Sequence, residues 1–370
     1  DDLSRGLGDV YKRQALKKDI INQFGTPCAG VDLNILEKNI TRVQKICDKA
    51  GVSNRPHIKT HKSCEIARMQ VDAGASGVTC QKVGEAEVMA AAGIKDILIA
   101  TNVLGAAASG SLAALQRRIS LKVCADSAYS INAYSTAAKD AGRVLDVLVE
   151  CDTGQKRAGV ETPEEACRLA KLIDDDSYLK FKGLLYYPTK DKWREAEVFN
   201  SKLVKLLSEV NLVPEIISTG GTPNLQNVGK LSGSTEHRAG TCIFNDLMMI
   251  KDGFSSIYDC ALHIYTSVVS RAGKDRGILD AGSKTLTSDL GGLNGFGSIL
   301  EYPDAIIGKL AEEHGFLNLE DCAVQPEVGE ILRVIPNHVC VVVNMFNELV
   351  LVRDTKIIDA IKVEARGLLV

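Results

Sequence analysis

The chain has 370 residues, 45% of them hydrophobic and 25% charged, the balance of a globular protein with a sizeable apolar interior. A formal net charge of -3 leaves no basic footprint for nucleic acid or an anionic membrane surface, and no apolar run approaches a transmembrane helix or a signal peptide. The length exceeds one ordinary core and predicts two domains, with the cytoplasm as the default location.

Residues 1–14, "DDLSRGLGDVYKRQ", carry no apolar period and are read as a non-native or disordered tail. An amphipathic helix begins near Asp32: Leu33, Leu36, Ile40, Val43 and Ile46 keep helical spacing, and Gly51 is placed to stop it. From there strand-like apolar runs alternate with helical stretches. The runs fall at 56–59, 77–81, 96–102, 121–126, 145–151, 182–187, 215–220 and 236–241. One intervening helix opens on a capping box, Thr162-Pro163-Glu164-Glu165. Eight such units predict an α/β fold, a (β/α)8 TIM barrel over 15–258, in preference to the open doubly wound sheet that also alternates. Beyond about 260, runs rich in β-branched residues between Gly, Pro and Asn turns predict a C-terminal all-β domain, 259–370. The piece "GGLNGFG" lacks the spacing of a nucleotide loop. Eleven cysteines, scattered with no CxxC pair, read as reduced thiols.

In a barrel of this kind the chemistry gathers at the C-terminal ends of the strands. Lys59, in "RPHIKTHKS", follows the first predicted strand, Gln81 the second, Asn102 the third and Asp126 the fourth. Asp152 and Arg157 follow the fifth, and Tyr187 closes the sixth. The turn Ser218-Thr219-Gly220-Gly221 follows the seventh and Gly240-Thr241 the eighth, where such barrels hold a phosphate on exposed backbone N–H groups. A phosphate cradle opposite a lysine able to form a Schiff base points to pyridoxal 5'-phosphate (PLP), an electron sink for a carbanion at an amino acid's α carbon. A lysine at a strand end is, taken alone, more often a solvated charge. His57 and His61 flank Lys59 and either shape its pocket or pack beside it. In "PNHVCVVV", His338 and Cys340 stand two apart on a predicted strand and so face one side; imidazole and thiolate suit zinc and leave positions open. The alternative there is a packed cysteine beside a hydrogen-bonded histidine. His237 and His314 have no paired ligand by spacing and read as structural.

Taken together, "RPHIKTHKS", "GVTCQKVGEAEVMAAAGIKDILIA", "CDTGQKRAGV", "STGGTP", "EHRAGT", "LDAGSKTLTSD", "EEHG" and "PNHVC" resemble the D-threonine aldolase and D-serine dehydratase family. These are fold-type III PLP enzymes related to alanine racemase, and the resemblance runs from about residue 20 to the C-terminus. It implies the barrel and β domain read above and a homodimer with sites near the interface. By this resemblance Lys59 is the cofactor lysine, Arg157 lies near the cofactor ring, and Tyr187 lines the site. Thr219, Gly220 and Gly221, with Gly240 and Thr241, would hold the phosphate. A divalent metal, zinc or manganese, would sit in the β domain at His338 and Cys340. The family carries His-x-Cys there in dehydratases and His-x-Asp in characterised aldolases. The expected activity is a PLP- and metal-dependent lyase of small β-hydroxy-D-amino acids, with no nucleic acid or membrane partner. The preferred reaction is cleavage of D-threonine-like substrates to glycine and an aldehyde. D-serine dehydration to pyruvate and ammonia is the rival: Cys340 favours it, as does "PTKDKW" after Tyr187, where aldolases commonly have a histidine. An alanine-racemase-like activity and a non-catalytic PLP carrier stand further off.

Overall fold

The computed structural model describes residues 2–370, excepting the side chains of 2–10. It divides into two compact units, one of residues 40–240 with 368–370 and one of residues 1–39 with 241–367. The division differs from the expected boundaries at both ends of the barrel. The chain before residue 40 and the segment 241–258 group with the β-rich unit, whereas 15–258 was expected to be barrel throughout.

The first strand, β1 (Cys28–Asp32), belongs to the β-rich unit. The barrel unit then contributes β2 (Ser53–Asn54), β3 (Val78–Cys80), β4 (Asp96–Ile99), β5 (Ser120–Ala125), β6 (Leu145–Cys151), β7 (Leu179–Tyr186), β8 (Ile216–Gly220) and β9 (Glu236–Arg238). They form one parallel sheet in the order β2-β9-β8-β7-β6-β5-β4-β3. A bridge between His57 and Thr79 joins the two edges, with Thr79 N–H donating to Pro56 O at 2.8 Å, while His57 N–H continues the pairing toward β9 by donating to Ala239 O at 3.0 Å. Closure buries β4 and β6 on both faces, which is why they read as apolar runs: Ile97, Leu98, Ile99, Val147, Leu148 and Val149 are all fully buried. Gly183 allows β7 to meet β8, since a Cβ there would lie 1.8 Å from the carbonyl oxygen of Ile216.

The first barrel strand sits earlier than expected. Strand 56–59 was predicted, but the ladder is made by Ser53 and Asn54, and the chain has already turned into a 3-10 helix at Ile58–Thr60. His57 caps that turn, its Nδ1 accepting the N–H of Lys59 at 3.5 Å. Lys59 therefore stands on a tight turn just past the strand.

The β-rich unit adds β10 (Leu262–Ser270), β11 (Arg276–Leu279), β12 (Ser298–Ile299), β13 (Ile306–Leu310), β14 (Gly315–Asn318), β15 (Ile331–Ile335), β16 (Glu348–Arg353) and β17 (Lys356–Lys362). The order is β11-β14-β13-β12-β15-β10-β1-β16-β17, and a further β10–β11 pairing closes six of these strands into an antiparallel barrel. Strand β1 lies between β10 and β16, its Gly30 held to glycine by the ring of Tyr265, 2.5 Å from where a Cβ would be. A helix, Asp2–Gln23, overlaps the segment set aside as a tail; residue 1 lies outside the described residues. Its Leu16 and Ile20 pack with Cys28, Tyr265 and Val350 in the core of this unit. All eleven cysteines are free thiols, as expected.

Candidate active site

The barrel places a group of predicted residues at its C-terminal mouth. Lys59 is exposed there, whereas Lys62, three residues on, is buried and paired with Glu85 at 3.3 Å. Because Lys59 N–H donates to Nδ1 of His57, the imidazole proton sits on Nε2, which donates to Oε1 of Gln81 at 3.2 Å. Gln81 Nε2 donates in turn to Ala100 O at 3.2 Å. Burial first, then the neighbouring charges of Lys59 and Arg238, hold the His57 pKa well below its ordinary value. His57 is thus a neutral imidazole that fixes the lysine turn, and Gln81 fixes His57. His61 is built alike, with Nδ1 accepting from Ser63 N–H and Nε2 bonded to Gln70; burial brings it to about 4.

Across the mouth, Oδ1 of Asp152 accepts the N–H groups of Gly154 and Gln155, each at 2.8 Å, and so folds the loop that carries Arg157. The Arg157 guanidinium stacks over the Tyr187 ring, 5.2 Å from its centroid. Asn224 ties the Tyr187 loop to the next turn by donating to Pro188 O at 2.7 Å and to Gly220 O at 2.8 Å. Gly221 has φ 99, and a Cβ there would fall 2.5 Å from the Tyr187 ring. At Gly240 a Cβ would lie 2.7 Å from Oγ1 of Thr60 and 2.8 Å from His57 O. The Tyr187 ring thus packs directly on the Gly221 turn, and the lysine turn, through Thr60 and His57, packs directly on Gly240.

The hydroxyls of the expected phosphate turns are engaged elsewhere. Ser218 is fully buried, donating to Glu236 Oε1 at 2.6 Å and accepting from Arg238, so it faces the barrel interior. Thr219 bonds Nδ1 of His237 at 3.0 Å, and His237 Nε2 donates to Gly221 O at 3.2 Å. Burial brings that histidine to about 4, and its place is structural, as expected. Gly221 N–H is already donated to Arg238 O at 2.6 Å, so Gly221 offers no free donor and instead lets the Tyr187 ring pack close to the backbone. Thr241 opens a 3-10 turn in the β-rich unit, and its hydroxyl lies 3.4 Å from Sγ of Cys340. A phosphate cradle here is consequently a backbone surface, since neither Ser218 nor Thr219 offers its hydroxyl.

Sequence reasoning missed Arg238. It is buried inside the barrel against Gly220, donating to Ser218 and to Tyr186 O at 3.0 Å, with Glu236 and Glu150 as nearby carboxylates. Burial lowers its pKa and those carboxylates oppose the shift. The available signal was "EHR": two full charges in a strand of a sheet buried on both faces are costly unless paired. Three buried oxygens on the loops after β4, β6 and β7, Asn102 Oδ1, Thr153 Oγ1 and Thr189 Oγ1, have no hydrogen-bond partner among the described residues. Orphaned polar atoms at the mouth, glycine turns lying close against Tyr187 and the lysine turn, and an exposed lysine together fit PLP.

In the β-rich unit, His338 and Cys340 are not on a strand. Strand β15 ends at Ile335, and His338 is the extended N-cap residue of a short helix, Val339–Val343. Asp246 Oδ2 accepts Val339 N–H at 3.0 Å, and Val339, Val342 and Val343 are fully buried, so capping and packing override the β propensity of a valine run. His338 Nδ1 meets Asp289 Oδ2 at 2.6 Å. Hydrogen bonding to Cys340 first, and to Asp289, raises the His338 pKa to about 9. Among the described residues no group of three His, Cys, Asp or Glu side chains is gathered as a metal cage. The donor set of one imidazole and one thiol nonetheless fits a divalent metal held by two protein ligands.

The family model described as "Alanine racemase, N-terminal domain" matches residues 31–247, and one described as "Putative serine dehydratase domain" matches 261–352. A D-threonine aldolase of Arthrobacter sp is 34% identical over 94% of this chain and 94% of its own length. The crystal structure of D-threonine aldolase from Filomicrobium marinum superposes with a TM-score of 0.87 at 30% identity, covering 93% of this chain and 96% of that one. The D-threo-3-hydroxyaspartate dehydratase from Delftia sp. HT23 superposes at 0.84 with 28% identity, covering 92% of this chain and 98% of that one. The chain belongs to the D-threonine aldolase and D-serine dehydratase family, PLP-dependent lyases of the alanine racemase-like fold.

Proposed function

We propose that this protein is a lyase that cleaves small β-hydroxy-D-amino acids of the D-threonine type to glycine and an aldehyde, using PLP at Lys59 and zinc or manganese at His338 and Cys340. The observation that carries this reading is an exposed Lys59 on a tight turn packed against Gly240 at the barrel mouth, with Tyr187 packed on the Gly221 turn. When bound, PLP supplies an electron sink for charge at the substrate's α carbon, and the metal supplies a Lewis acid for the β-hydroxyl. Lys59 Nζ holds the cofactor, and neutral His57 keeps the lysine turn in place. Arg157 and Tyr187 cover the opposite side and orient what lies between. In cleavage the β-hydroxyl proton passes to a base as the Cα–Cβ bond breaks, the aldehyde departs, and the α carbon is reprotonated to give glycine.

Cys340 and the sequence after Tyr187 support a second reading, D-serine dehydration. There Lys59 takes the α proton, hydroxide leaves from the β carbon, and pyruvate and ammonia follow. Residues 188–193 hold Lys190, Asp191 and Lys192 but no histidine to act as the hydroxyl base. We read the active form as a cytoplasmic homodimer, on the family resemblance, with no nucleic acid or membrane partner, on the net charge of -3. No helix is long and apolar enough to cross a membrane among the described residues. Product analysis decides between the reactions. Glycine plus acetaldehyde from D-threonine establishes the aldolase, whereas a 2-oxo acid plus ammonia from D-threonine or D-serine establishes the dehydratase. Neither product from PLP-loaded, metal-loaded protein overturns the lyase reading.

A further inference from the structure

The motif "LDAGSKTLTSD" has so far been given no role, and it ends on Asp289. We propose that Asp289 is a positioning residue for the metal site. Its carboxylate anchors Nδ1 of His338, so that Nε2 is the ligating nitrogen alongside the sulfur of Cys340. The inference rests on the reading of His338 and Cys340 as metal ligands.

Three observations carry it. First, Asp289 Oδ2 lies 2.6 Å from His338 Nδ1, while Oδ1 accepts Gly291 N–H at 3.2 Å, so each carboxylate oxygen has a partner. Second, the loop bearing Asp289 is clamped by the residue next to His338. Asn337 is almost fully buried, and its Nδ2 lies within hydrogen-bond reach of the carbonyls of Asp289 at 3.2 Å, Leu290 at 3.4 Å and Gly295 at 2.9 Å. One amide thus ties the carboxylate's loop to the backbone that carries the imidazole. Third, the chain reaches this position through Thr287 at φ 63, a left-handed conformation that a β-branched residue adopts only when its surroundings impose it. Thr287 Oγ1 then accepts the N–H of Asp289 at 3.4 Å.

A carboxylate on the far nitrogen of a ligating histidine fixes its tautomer and ring orientation, and its loss weakens metal binding. With only two protein ligands, a free imidazole would rotate about χ2 and present either nitrogen, so orientation matters more here than in a closed site. Asn337 serves the same end indirectly, by holding Asp289 against His338.

The test uses the full-length, PLP-loaded protein, stripped of metal and titrated with zinc against a chromophoric chelator, then with cobalt(II) to read the thiolate charge-transfer band. Asp289→Ala is expected to weaken zinc binding about 10- to 100-fold while the cobalt–thiolate band from Cys340 persists. Asp289→Asn, which keeps an acceptor for Nδ1–H but not the charge, should fall between Asp289→Ala and the unaltered protein. A merely structural role predicts a lower melting temperature with unchanged zinc affinity in the folded fraction. Zinc affinity within about twofold of the unaltered protein for Asp289→Ala, when His338→Ala and Cys340→Ala lose more than about 100-fold, would overturn the role of Asp289 and leave the metal ligands standing. Unchanged zinc affinity in His338→Ala and Cys340→Ala would overturn the metal reading itself, and the inference with it.

Discussion

Replacing Gly221 by alanine tests the cradle where its geometry is most demanding. The backbone there has φ 99 and ψ 144, close to a region that essentially only glycine occupies; residues held in such regions cost on the order of 1–3 kcal/mol. The new methyl would stand 2.5 Å from Cε2 of Tyr187 and 2.9 Å from its Oη. Carbon atoms settle at about 3.5–4.0 Å, so the ring must retreat by about 1 Å. That shift disturbs the Arg157 stack, now 5.2 Å from the ring centroid and worth about 0.5–1 kcal/mol at an exposed site. Together these put the loss near 2–4 kcal/mol, with a marked loss of PLP affinity because the ring moves within the cradle. Gly142→Ala is the control: it has φ 67 with nothing within 4 Å of its Cβ, so it carries the left-handed penalty of about 1–2 kcal/mol alone. Urea unfolding of the two variants gives the stabilities, and titration of the visible cofactor band gives the affinities. If Gly221→Ala loses no more stability than Gly142→Ala and binds PLP normally, the cradle assignment is wrong.

Acid should loosen the barrel through its buried histidines. His61 and His237 are neutral when folded, with pKa values brought to about 4 by burial, and His57 is also lowered. Because the unfolded chain takes up protons near pH 6.5 and the folded barrel does not, stability is fully present above about 6.5 and is lost as pH falls toward about 4. The slope reaches about 1.4 kcal/mol per pH unit for each histidine; urea midpoints that stay flat across this window would contradict the buried neutral state. Lys62→Met leaves Glu85 buried without its ion-pair partner and should cost about 3–5 kcal/mol, much of it recovered in the double variant with Glu85→Gln, as a double-mutant cycle would show. Chelation should abolish turnover while the PLP absorbance and the unfolding midpoint stay put; full activity in metal-free protein removes the metal from the account.

Much of the barrel was legible because strands such as β4 and β6 are buried on both faces and announce themselves as short apolar runs, whereas β2 (Ser53–Asn54) and β9 (Glu236–Arg238) carry no such run. The glycine turns at Gly221 and Gly240 stood out as glycine-rich turns after the last two barrel strands; their close packing on Tyr187 and Thr60 depends on residues distant in sequence. Other features depend on partners far away in sequence. Strand β1 pairs with His263 and Val350, among others, and nothing within Cys28–Asp32 reveals that. The helix at His338 hides in a valine run because Asp246, more than ninety residues earlier, caps it. Ser218 and Thr219 stood out only as part of a glycine-rich turn; that Glu236, Arg238 and His237 on the neighbouring strand take their hydroxyls was not readable from the turn itself. Asp289 gave only the end of a motif; its meaning lies in a bond to His338 across 49 residues.

The central claim is that Lys59 at the barrel mouth is the residue that holds PLP. Borohydride reduction of the PLP-loaded protein, followed by peptide mass mapping, tests it most directly. The account predicts the reduced cofactor on the peptide carrying Lys59, and no covalent adduct in Lys59→Ala. An adduct on another lysine, or one that survives in Lys59→Ala, would contradict it.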